Sequence, residues 1–166
     1  MINVPVTYGA VSAYTFTNVP ANHTIEASFA LDTSAQEIIL DNGDPGTSYT
    51  GAWYASGGTG PYDTDSLWSR DGTYTWTFTP QQTGVYELSM WWTYFVSRSA
   101  NIPVDIEYSD GTTRVSINQY QNGSMWNSLG TYPFAAGTSY KVTITAQGSL
   151  TTCADAVKFA QKLYNH

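Results

Sequence analysis

Charge is scarce in this sequence. Of 166 residues, 11% are Asp, Glu, Lys or Arg, against about 25% in an average soluble domain. Basic residues are the scarcest, with 6 Lys+Arg against 13 Asp+Glu and a formal net charge of -7. Such a chain repels phosphate, which argues against nucleic-acid binding of the usual electrostatic kind. Cysteine occurs once, as Cys153, so no internal disulfide is possible, and a lone thiol is usually a small buried hydrophobe. Histidine occurs twice, as His23 near the start and His166 at the end. Neither is well placed to activate Cys153 or a serine, and a zinc site needs about four Cys, His or carboxylate ligands. Nucleophilic catalysis and zinc binding are therefore not expected. No Gly-rich phosphate-binding loop is present. No apolar run approaches the about 18 residues of a membrane-spanning helix. Met1–Pro5 lacks the basic and apolar segments of a signal peptide. The surface-like composition, rich in Thr, Ser, Gly, Asn and Tyr, nevertheless reads as extracellular, with an export signal expected outside this sequence.

Helix signals are also nearly lacking. One candidate is Ala154–Leu163, and there Ala156, Lys158 and Ala160 alternate with Val157, Phe159 and Gln161, so a final strand fits as well. What the chain has in excess is aromatic rings: 15% of residues, made up of 6 Trp, 13 Tyr and 6 Phe. That excess excludes an acidic disordered tail, and the composition is not that of a coiled coil.

The rings fall in short alternating runs split by Gly, Asn, Asp and Pro, which is the pattern of an all-β chain. Tyr74, Trp76 and Phe78 share one face of 74–79, with threonines on the other. A long aromatic strand is expected over Val85–Phe95. Within it Trp91 and Trp92 must point to opposite faces, one to the core and one outward. Val104–Tyr108 alternates, and Asp110-Gly111 marks a hairpin turn back into Thr113–Asn118. Further strands are expected at 130–134 and 140–145. The expected fold is a jelly-roll-like antiparallel β-sandwich over residues 36–162. Residues 1–35 are expected to form an N-terminal β-hairpin extension, with strands at 14–17 and 24–30, and 163–166 a tail. A lone hairpin is marginal in water, so this segment is expected to dock on the sandwich or pair with another chain.

Two resemblances attach to these stretches. Gly9–Val19 with Ala21–Ala30 resembles the last part of a bacterial extracellular β-repeat. Residues 37–159 resemble the golvesin C-terminal-like domain. The resemblance is carried by Glu37–Gly46, Trp53, Tyr74–Phe78, Gly84-Val85-Tyr86 leading into Met90-Trp91-Trp92, Ser97–Val104 and Asp110–Thr113. It continues through Asn118-Gln119, Gln121-Asn122-Gly123, Trp126-Asn127, Leu129–Phe134 and Ala154–Val157. The family occurs as an appendage of secreted bacterial enzymes, including a xanthan lyase, and of other surface proteins. Its strand pattern is also similar to galactose-binding-like carbohydrate modules. By that analogy, a structural calcium ion shared by Asp41 and Asp155 is implied.

Two ring-bearing loops stand out as a ligand surface. The 49–68 loop carries Tyr54, Tyr62 and Trp68 beside Asp63 and Asp65. The 120–126 loop carries Tyr120 and Trp126 beside Gln119 and Asn122. Sugars stack their C–H faces on such rings and bond their hydroxyls to amides and carboxylates. Arg98 is a further candidate donor. Each has a plainer alternative: the rings plug the ends of the sandwich, Arg98 clamps its own loop, and the aspartates bond backbone N–H groups in turns. Asp41 with Asp44, or Asp63 with Asp65, could in number serve as a glycosidase pair, against the same turn alternative. The reading is a non-catalytic accessory module of a secreted or surface bacterial protein that binds polysaccharide. The rival is a structural module in a stalk, adhesin or filament, meeting neighbouring protein domains through its aromatics and oligomerising through residues 1–35.

Overall fold

A computed structural model describes residues 34–163. The expected 14–17 and 24–30 strands, His23 and His166 lie outside the described residues. Within them the chain forms twelve strands and no helix. The strands are β1 (Glu37–Leu40), β2 (Thr47–Tyr49), β3 (Tyr54–Ala55), β4 (Leu67–Ser69), β5 (Thr73–Phe78) and β6 (Gly84–Met90). They continue as β7 (Ile102–Tyr108), β8 (Gly111–Ile117), β9 (Asn127–Phe134), β10 (Tyr140–Thr145), β11 (Thr152–Ala154) and β12 (Val157–Gln161).

A four-stranded sheet runs β1-β12-β6-β9 and a five-stranded sheet runs β2-β5-β10-β7-β8. A small third sheet runs β11-β4-β3. Every strand ladder is antiparallel. The C-terminal stretch is thus strand, as its alternation allowed.

The period-2 pattern builds the core. Tyr74, Trp76 and Phe78 of β5 pair with Ile144, Val142 and Tyr140 of β10, and Val142 and Ile144 pair onward with Ile106 and Val104 of β7. All of these residues are buried. The opposing face is made by Tyr86, Leu88 and Met90 of β6 with Phe159 and Val157 of β12. Phe78 and Phe159 stack across the gap with ring centroids 3.9 Å apart, and Phe134 closes on Phe78 edge-on at 5.3 Å. Burying rings of this size contributes the largest apolar area per residue available to a chain.

Two details position the site. β7 and β8 join through Ser109-Asp110, a two-residue loop between paired Tyr108 and Gly111. The long strand expected to reach Phe95 ends instead at Met90. There its neighbours run out, because β12 begins at Val157 opposite Met90 and β9 begins at Asn127 opposite it. Beyond Met90 the chain leaves the sheet and bonds to loops. Trp91 N donates to Ala156 O, Ser124 N donates to Trp92 O, and Tyr94 bridges to Thr59. Trp92 is buried and donates Nε1–H to Gln121 O at 2.9 Å. Trp91 takes the other side and donates to Gly60 O at 3.0 Å.

Candidate functional site

The 91–99 segment folds over the three-stranded sheet and encloses a groove of about 250 Å³. The groove is lined by Ser56, Gly57, Trp68, Arg70, Phe95, Ser97, Arg98 and Thr151. Trp68 sits on β4, between Tyr54 of β3 and Cys153 of β11. Placing Trp68 on a strand corrects its reading as a loop residue. Tyr54 is 55% exposed and tilts against Trp68 with centroids 5.2 Å apart. Phe95, on the opposing segment, is 43% exposed. Phe95 and the partly buried Trp68 thus face each other across the groove, and Tyr54 lies beside the Trp68 wall without lining it.

Arg98 forms the floor. It is 2% exposed. Its Nε donates to Thr93 O at 3.3 Å, and Nη2 donates to Ser56 Oγ at 2.8 Å and Thr93 Oγ1 at 2.6 Å. Nη1 donates to Thr151 Oγ1 at 3.2 Å. The guanidinium thus ties the 91–99 segment to the β3 and β11 ends, as the clamp alternative requires, while still lining the groove. Gly58 allows this approach. A Cβ there would lie 2.5 Å from Thr93 Oγ1 and 3.0 Å from Arg98 Nη2. Gly58→Ala is expected to cost about 1–3 kcal/mol in a urea melt; an unchanged midpoint would mean that the 57–60 loop moves aside freely.

The remaining candidates do not gather at this groove. Gln119 is fully buried. Its Nε2 donates to Cys153 O at 2.9 Å and its Oε1 accepts from Cys153 N at 2.7 Å. The carboxamide imitates a paired peptide group and is not free for a ligand, which corrects its reading as a surface amide. Tyr62 and Trp126 pack on Trp91, with centroids 6.0 and 5.5 Å from it, and on each other at 5.2 Å. Lys158 Nζ lies 4.8 Å over the Trp126 ring. This separate cluster covers the outward side of Trp91. Tyr120 is 49% exposed, and its N–H donates to Asn118 Oδ1. Asn122 sits in the left-handed region at φ 52° and accepts from Asn127 Nδ2 through its carbonyl.

The aspartates behave largely as turn residues. Asp44 Oδ2 accepts from Asp41 N at 2.8 Å and Asp41 Oδ1 accepts from Asn42 N at 2.9 Å. Asp65 Oδ1 accepts from Asn42 Nδ2 at 2.6 Å. Asp63 has φ 52°, a conformation Asp tolerates in turns. Asp155 differs. It is fully buried and accepts from Tyr62 N at 3.2 Å. Burial pushes its carboxyl up to about 8, with further pressure from the charges of Asp41 and Asp65 and against the Tyr62 hydrogen bond and the Arg98 charge. Burial likewise raises Asp41 to about 6, with Asp44, Asp63 and Asp65 adding to it. Two carboxylates of this kind suit a hard cation, which takes six to eight oxygens. Among the described residues, however, no group of three or more His, Cys, Asp or Glu comes together for a metal, so backbone carbonyls or water would have to complete the set. Cys153 is buried, and desolvation pushes its thiol up, which leaves it a poor nucleophile.

The golvesin C-terminal domain model matches residues 38–161. The chain belongs to the golvesin C-terminal domain family. It is 39% identical over 133 residues to a xanthan lyase of Bacillus sp. (strain GL1), spanning 74% of this chain and 14% of that protein. Among solved structures it is similar to Paenibacillus xanthan lyase, with a TM-score of 0.73 and 32% identity over 76% of this chain and 13% of that one. The chain therefore spans about one-seventh of the length of these relatives. It also shares its fold with a family 35 carbohydrate binding module from an environmental isolate, at a TM-score of 0.55 and 11% identity, over 75% of this chain and 93% of that one. At that identity the likeness establishes the jelly-roll sandwich and nothing finer. For the golvesin domain, residues missed from sequence alone are Phe95, Arg70, Ser56, Ser97 and Thr151.

Proposed function

We propose that this golvesin domain is a non-catalytic accessory module of a secreted or cell-surface bacterial protein, and that it binds polysaccharide in the Trp68–Phe95 groove. The observation that carries the reading is the groove itself: rings at its mouth, hydroxyls of Ser56, Ser97 and Thr151 along it, and a guanidinium at its base. Half-exposed rings supply flat faces for sugar C–H groups, and the fixed donors orient the hydroxyls. The volume suits about one sugar ring, smaller than a typical drug pocket. Affinity at one such site is weak, and repetition along a polymer compensates. Similarity to a segment of xanthan lyase supports xanthan as the first polymer to try. Affinity electrophoresis through xanthan, mannan and galactan gels tests the reading. Trp68→Ala is expected to weaken retardation about tenfold, while Trp126→Ala leaves it unchanged. The opposite ranking would move the site to the Tyr62–Trp91–Trp126 cluster.

The calcium reading continues as a proposal for Asp41 and Asp155, which would hold the ion, its charge favouring the ionised form of the buried Asp155. A second functional reading, contact with neighbouring protein domains, is favoured by Tyr94, Phe95 and Val96, three successive residues 46%, 43% and 70% exposed. Failure on every polysaccharide, together with self-association by light scattering, would select it.

A further inference from the structure

We infer that the groove recognises an anionic sugar, one bearing a carboxylate, through Arg98 at its floor and Arg70 at its rim; this rests on the polysaccharide reading above and narrows it. Positive charge is scarce in this chain. Among the described residues the cationic side chains are Arg70, Arg98, Arg114, Lys141, Lys158 and Lys162. Arg114 is held bidentately by Asp105, at 2.6 and 2.8 Å. Lys162 pairs with Glu87; Lys158, which lies over Trp126, and Lys141, exposed on β10, form no ion pair among the described residues but do not line the groove. Arg70 and Arg98 form no ion pair among the described residues, and both line the same groove. In a chain with 13 acidic residues, two unpaired arginines converging on one small groove is not what solvation of a surface requires.

Arg98 is the sharper case. A buried charge is costly unless a counter-charge accompanies it, yet its bonds go to one carbonyl and three hydroxyl contacts, all uncharged, and the buried Asp155 acts on it only at longer range, without an ion pair. Nη1 makes one of the two bonds it can donate. The groove lining contains no carboxylate and no carboxamide. Its polar groups are guanidinium N–H donors and hydroxyls, so the lining is matched to a ligand rich in acceptors. The exposed Arg70 guanidinium presents a planar fork that fits a carboxylate, and the remaining Nη1–H of Arg98 adds a single donor below it. Arg70 Cζ lies over the Trp68 ring, 6.0 Å from its centre, so a sugar whose carboxylate Arg70 holds lies against the Trp68 wall.

The test uses the whole chain in affinity electrophoresis through polygalacturonate, alginate and hyaluronan, each run beside its carboxyl-reduced form and beside dextran sulfate. The expected result is retardation by at least one carboxylated polymer and about five- to tenfold weaker binding to its reduced form. Arg70→Gln, a substitution at an exposed rim residue, is expected to lose affinity by a similar factor. Equal binding to native and reduced polymers overturns the inference and leaves the polysaccharide reading standing. Dextran sulfate bound as tightly as any carboxylated polymer overturns it too, because charge alone would then suffice. No retardation by any polysaccharide, neutral or acidic, overturns both readings.

Discussion

The calcium-free protein is expected to melt at least about 5 °C lower at pH 8 than at pH 5. The cause is Asp155, buried at 0% exposure, with Asp41 beside it electrostatically. In the unfolded chain both carboxyls titrate near 3.8, whereas in the folded protein they titrate at about 8 and about 6. Between those limits the folded state holds more protons than the unfolded one, so stability falls as pH rises. One such proton is worth about 1.4 kcal/mol per pH unit. The window opens at pH 5 because other carboxylates act in the opposite sense. Hydrogen bonding to Lys162 holds Glu87 below its usual 4.5, and Arg114 does the same for Asp105. Their contributions are present above the unfolded pKa and lost only in stronger acid. Scanning calorimetry with chelator present measures the effect. Asp155→Asn keeps an acceptor for Tyr62 N and should flatten the slope; a wild-type slope that is flat from the start would contradict the burial argument. Millimolar calcium separates the metal proposal from it. An ion held by Asp41 and Asp155 competes with protons, so it should raise the melting temperature strongly at pH 8 and little at pH 5. No rise at pH 8 removes the calcium site.

The inner faces of β5, β7 and β10 are plain in the sequence because each alternates over five or more residues against a buried partner. The groove was only half visible, for a physical reason. It is assembled from β3, β4, the start of β11 and the 91–99 segment, which are short and far apart along the chain. A two-residue strand such as Tyr54-Ala55 has no periodicity to read. Trp68 and Arg98 stood out as a ring and a rare cation, whereas Phe95 read as the end of a strand. Gln119 is the instructive error. Beside the 120–126 loop it reads as a ligand amide, but Val115, Ile117 and Gln119 continue one inward-facing period, and the burial of the last two follows that register. The period outweighs polarity because Cys153's peptide group partners both the carbonyl and an N–H of the buried amide.

Arg98→Ala is expected to destabilise the domain by about 3 kcal/mol in urea, and Arg98→Met by about 1 kcal/mol. The alanine variant forfeits four hydrogen bonds, leaves Thr93 O without its donor, and opens a void under the Phe95 ring, which lies 5.8 Å from the guanidinium carbon. The methionine variant fills most of that void with an adaptable chain and removes a buried charge that no carboxylate bonds directly, Asp155 acting on it only at longer range. The two substitutions therefore separate packing from polarity. If the hydrogen bonds dominate, both variants are weaker than wild type and the gap between them measures the filled volume. If the uncompensated charge dominates, Arg98→Met matches or exceeds wild type, as buried ion groups replaced by apolar ones sometimes do. That second outcome would overturn the clamp as a stabilising device. It would also mean that a stability cost is borne at the floor of the groove for the sake of what enters it, and Arg98→Met should then fold well while losing its preference for carboxylated over carboxyl-reduced polymer.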